Sequence, residues 1–124
     1  MRGRLYDLPD GYPALVVPEE DIFATGTMDY AADAEAGGIT GPGLQETLPC
    51  WGTVHGEIFG FNDPEERLPA LDGLEGFHPG EESFYRRVLV PVTPTQTGTD
   101  VLVWAYATES ESGVYLPGGS WPTP

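Results

Sequence analysis

Seventeen glycines and thirteen prolines stand among only 124 residues. This punctuation constrains the fold more than any other feature. Glycine opens positive backbone angles at turns, and proline breaks both helices and inner strands. The chain therefore reads as short strands joined by turns, with little room for long helices. Hydrophobic residues make up 40% of it, enough for a modest core in one domain spanning 1–124. No apolar run approaches the ~20 residues of a membrane span, and Met1-Arg2-Gly3-Arg4 leads into no signal-peptide core. With one cysteine, Cys50, no internal disulfide forms; the residue reads as a small buried apolar group. A cytoplasmic protein is the expectation.

Charge narrows the partners. Twenty acids face five bases, all arginine, for a formal net charge of −15. Such a surface repels nucleic acid and anionic membrane. A high-salt cytoplasm that screens dense negative charge and a surface kept acidic for solubility both account for it.

The strongest strand is Val101 to Thr108, a near-continuous apolar run that suggests burial on both faces. Phe84 to Val92, Ala14 to Val17, Leu5-Tyr6-Leu8 and Val114 to Leu116 read as further strands, and Thr53 to Phe61 as a strand bent at its two glycines. Asp63-Pro64-Glu65-Glu66 is a helix start, with Pro at the first position and acids in the first turn. Pro69 then predicts two short helical pieces, the second spanning roughly Pro69 to Leu74, with Leu68, Leu71 and Leu74 on one face. A polar loop or insertion is expected around 31–49.

The stretch Leu71-Asp72-Gly73-Leu74-Glu75-Gly76-Phe77 carries the main chemical candidate. Gly76 ends the helix directly after Glu75. A carboxylate between Leu74 and Phe77 is either partly dry, which suits a general base, or an exposed last-turn glutamate. Glu57, Tyr85, Arg87, Trp104 and Tyr106 are secondary candidates, each with a plain structural alternative. His55 and His78 show no metal-ligand spacing, and neither a phosphate loop, a dinucleotide fingerprint nor a serine elbow is present. Neither metal nor cofactor is implied.

Gly3-Arg4-Leu5-Tyr6-Asp7-Leu8, Tyr12-Pro13-Ala14-Leu15, Val54-His55-Gly56-Glu57-Ile58-Phe59, the 71–77 stretch, Tyr85-Arg86-Arg87 and Trp104-Ala105-Tyr106 follow one another in a familiar order. Their order and spacing resemble the gamma-glutamylcyclotransferase-like superfamily, in particular its small members similar to gamma-glutamylamine cyclotransferase. The resemblance implies an α+β fold, a small mixed β-barrel with short helices. It implies an acyltransferase- or lyase-type enzyme that releases 5-oxoproline from a small gamma-glutamyl amine or peptide. Glu75 would be the catalytic acid/base, and Tyr12, Pro13, Tyr85, Arg87 and Tyr106 would bind substrate. Family members begin with a strand and a Tyr-Gly-Thr/Ser-Leu loop whose amides cradle the glutamyl group. Nothing before Arg4 supplies that loop, and Thr25-Gly26-Thr27-Met28 echoes it only superficially. Either the true start lies upstream and the sequence is clipped, or the loop has been lost; a non-catalytic small-molecule-binding or regulatory domain that has lost the substrate loop is the alternative.

Overall fold

A computed structural model describes residues 1–9, 11–39, 51–109, 111 and 113–121. Strand β1 (Arg2–Asp7) is the centre of one sheet. It pairs antiparallel with β2 (Pro13–Val16), with β4 (Gly52–Thr53) and with β7 (Val114–Leu116). A second antiparallel sheet has the order β3-β5-β6, from β3 (Ala24–Thr25), β5 (Arg86–Val92) and β6 (Val101–Ala107). Helices α1 (Tyr30–Ala36) and α2 (Pro64–Glu75) complete the set, with one 3-10 turn at Glu19–Asp21.

The coarse α+β expectation holds, but among the described residues the strands form two sheets that do not close into a barrel. The two sheets approach where the Thr108 amide donates to the Leu15 carbonyl at 2.8 Å. Strand β2 is a poor base for a continuous ladder there. It starts at Pro13, which has no amide proton, and runs only four residues. Val17, Val88, Val90 and Ala107 form the core between the sheets, with Leu15, Val103 and Ala105 packed against them.

Other expectations need correction. Residues 31–36 belong to α1, not to a loop; Asp29 caps this helix by accepting from the Ala32 amide. The rest of the expected insertion, from Thr40 on, lies outside the described residues, as does Cys50. The strand expected over 53–61 ends at Thr53, and residues 55–61 are exposed without regular structure. Helix α2 is one helix, not two pieces. Pro69 removes a single amide donor and the helix continues through it. Its three leucines do not share a buried face: Leu68 is 7% exposed and Leu74 80%. A step of three residues turns about 300°, so leucines repeated at that spacing spiral away from a straight contact. Strand β6 is half-covered rather than buried on both faces. Val103 and Ala105 face the core, while Trp104 and Tyr106 face the helices.

The end of α2 matches its sequence. Gly76 adopts the left-handed conformation at φ 69°, and the Phe77 amide reaches back to the Asp72 carbonyl at 2.8 Å. This is a Schellman-type cap. It places Glu75 in the last helical turn and sends Phe77, 4% exposed, into the interior.

Candidate functional site

The guanidinium of Arg87, whose side chain is fully buried, is a densely bonded centre among the described residues. Nε donates to Asp72 Oδ1 at 2.8 Å, and Nη2 donates to Asp72 Oδ2 at 3.2 Å. Nη1 donates to Asp33 Oδ2 at 3.0 Å, and Nη2 also reaches the Thr27 carbonyl at 3.1 Å. The fork of donors on arginine suits this paired geometry, which lysine does not reproduce. The rings of Trp104, Tyr30 and Phe77 lie 4.8, 5.6 and 5.8 Å from the guanidinium carbon. Burial opposes the charge on Arg87, but the hydrogen bonds and charges of Asp72, then Asp33, outweigh it and raise its pKa.

The two acids are held from other sides as well. Asp33 accepts from the Thr27 amide and hydroxyl at 2.8 and 3.0 Å, and its own carbonyl accepts from the Trp104 indole at 2.7 Å. Asp72 accepts from the Tyr106 hydroxyl at 2.5 Å. Burial, then the bond to Asp72, pushes the Tyr106 hydroxyl far above the ordinary phenol range. Gly26 completes the enclosure, because a Cβ there would lie 2.7 Å from the Arg87 guanidinium carbon. One cation thus joins α1, α2, β5 and the turn at 26–27.

Glu75 sits one helical turn beyond Asp72 and is half-buried. Tyr85 and Tyr106 lie close enough that the Glu75 charge, added to the larger effect of burial, raises the pKa of both hydroxyls. The Tyr85 hydroxyl donates to the Pro13 carbonyl at 3.0 Å, and Phe84 packs edge-on against the Tyr85 ring at 4.8 Å. The Glu75 charge thus acts on both hydroxyls, and the Tyr85 hydroxyl is tied to Pro13. Tyr12 is 65% exposed, and Arg87 is buried with its donors directed to protein acceptors. Glu57 is exposed on the irregular 55–61 stretch.

Two surface clefts flank this region. One of about 380 Å³ is lined by Tyr30, Asp72, Phe77, His78 and Glu81 among others. One of about 620 Å³ lies on the other face of β5, around Phe84, Arg86 and Glu109. Glu75 lines neither. Among the described residues no group of three or more His, Cys, Asp or Glu side chains is placed to hold a metal ion. No helix among them is long and apolar enough to cross a membrane.

Sequence reasoning missed Asp33 and Thr27 and underrated Asp72. Asp72 carried a usable signal, since it lies three residues before Glu75 on the same helix. Asp33 carried none, because one acid among twenty reads as surface.

Fold and site together define a small α+β protein with a half-buried glutamate beside a buried Asp–Arg–Asp clamp. Comparison with protein-family models, with curated proteins and with solved structures finds no match.

Proposed function

We propose that this chain is a gamma-glutamylcyclotransferase-like enzyme, related to that superfamily's small mixed barrels and acting on a small gamma-glutamyl amine or peptide in the cytoplasm. The observation that carries the reading is that the charge of half-buried Glu75 acts on the hydroxyls of Tyr85 and Tyr106, the first of which is held by the Pro13 carbonyl. The ordered sequence blocks supply the chemistry. The substrate's α-ammonium gives a proton to Glu75, and the freed amine attacks the γ-carbonyl. A C–N bond closes the five-membered lactam and the bond to the outgoing amine breaks as that amine takes the proton from Glu75; the attacking nitrogen gives up its second proton through the same carboxylate, and the outgoing amine leaves as an ammonium. The reacting groups belong to one molecule, so little entropy is lost on closure. The oxygen that gains charge needs N–H donors. Arg87 is not among them in this reading; it serves as the clamp that holds α2.

A second reading, a non-catalytic small-molecule-binding domain, is favoured by one fact: Glu75 lines neither cleft. Measuring 5-oxoproline release from a panel of gamma-glutamyl amines separates the two. The enzyme reading expects turnover by the wild type and a fall of about 10²–10⁴-fold in Glu75→Gln with folding intact. Equal activity in Glu75→Gln places the base elsewhere. No turnover, with the panel still protecting the fold against heat, supports the binding domain.

A further inference from the structure

Each strand among the described residues has a partner, while one stretch with strand-forming side chains has none. The pairing of β4 with β1 extends as far as the Val54 amide, which donates to the Met1 carbonyl at 2.8 Å. The His55 amide then turns to the Gly119 carbonyl at 2.8 Å. From Gly56 to Phe61 no backbone hydrogen bond forms among the described residues. Ile58, Phe59 and Phe61 are 54%, 72% and 38% exposed there. Unpaired backbone beside exposed apolar side chains is a template for a further strand. The stretch is tethered at both ends, by β4 before it and by α2 after it.

The stretch supplies its own complement. Let Gly56-Glu57-Ile58-Phe59-Gly60-Phe61 run antiparallel against a copy of itself, with Ile58 opposite Phe59. Gly56 then stands opposite Phe61, and Glu57 opposite Gly60. Opposed residues share a face, and alternate residues of one strand lie on the same side. Each face therefore sets Gly56, Ile58 and Gly60 of one copy against Phe61, Phe59 and Glu57 of the other. Small residues meet large ones, and Phe61 covers a glycine across the ladder. The two Glu57 charges fall on opposite faces. The arrangement is identical from either copy, as a two-fold interface requires.

We propose that residues 56–61 are a dimerisation strand that pairs antiparallel with the same stretch of a second copy of this chain. The pairing is independent of Glu75 and of turnover. Two magnitudes set its strength. Three side chains exposed to this degree offer roughly 300 Å² per copy. With the backbone included the pair hides about 1,000 Å², the lower edge of specific interfaces. Each copy also carries a formal net charge of −15. These charges repel across the pair until salt screens them. The dimer is therefore weak, and salt strengthens it.

The test is sedimentation equilibrium of the whole chain from roughly 10 μM to 1 mM, in about 0.1 M and about 2 M KCl. The dimer fraction should rise with concentration, with association at least about tenfold tighter at the higher salt. Phe59→Glu should restore the monomer at high salt without lowering thermal stability, because the side chain it replaces is exposed. Val114→Glu, at an exposed position on β7, should leave the dimer intact. In a mixture of isotope-labelled and unlabelled copies, NMR contacts should link Ile58 of one copy to Phe59 of the other. A monomer throughout, as a stretch reserved for a different protein would give, overturns the proposal. So does a dimer indifferent to Phe59→Glu, a dimer lost instead in Val114→Glu, or one that weakens with salt.

Discussion

Arg86 and Arg87 are neighbours on β5, yet they belong to different regions of the molecule. Arg86 points to the outer face, where it bridges Glu19 at 3.4 Å and Glu109 at 3.2 Å, both largely exposed. Its Nε is buried without a hydrogen-bond partner. Arg87 points to the inner face, between two buried aspartates and three aromatic rings, at hydrogen-bonding distances of 2.8–3.2 Å. The strand's alternation alone decides which environment each side chain meets. The lesson is that the same residue type, one position apart, holds the fold on one face and only decorates it on the other.

The largest expected effect comes from breaking the inner face. Arg87→Ala leaves Asp33 and Asp72 buried without their cation and should cost roughly 3–5 kcal/mol in urea unfolding. A cost near that of a surface ion pair would erase the contrast between the two arginines.

A smaller effect should appear in alkali. The Tyr106 hydroxyl is raised in the folded state above the ordinary phenol value of 10.0. Above that pH the unfolded chain has lost this proton while the folded chain keeps it. Stability should therefore be level below about pH 10 and decline above it. Tyr106→Phe should flatten the decline, as read by thermal unfolding across the alkaline range. Tyr30 and Tyr85 are also raised, so part of the slope should remain.

The smallest effect belongs to the outer face. Arg86→Ala should change unfolding stability by about 1 kcal/mol or less, because its pairs are long and solvated. It also removes a buried donor that has no partner. A loss as large as that expected for Arg87→Ala would show that the outer pairs are structural too.

How far the sequence disclosed this arrangement depends on how local the cause was. The α2 start at Pro64, its glycine cap at Gly76 and strands β5 and β6 were legible, because caps and apolar runs act within a few residues. The stretch 53–61 misled. Ile58, Phe59 and Phe61 have strand-forming side chains, but a strand needs a partner, and these three are exposed. Helix α1 was hidden because its buried acid, Asp33, is held by Arg87, 54 positions away, and by Thr27 outside the helix. The neighbourhood of Glu75 was half legible. Glu75 and the tyrosines were singled out, but which way each hydroxyl donates, and that Arg87 turns inward, are facts of packing.

The central claim is that Arg87 and Asp72 form one clamp on which the helix bearing Glu75 depends. A double-mutant cycle in urea tests it most directly, with Arg87→Met, Asp72→Leu and the two combined. If the pair is a clamp, the double variant should lose less stability than the sum of the single variants, by about 1–3 kcal/mol. Simple additivity of the two losses would contradict the clamp and return Arg87 to the list of groups available to a ligand.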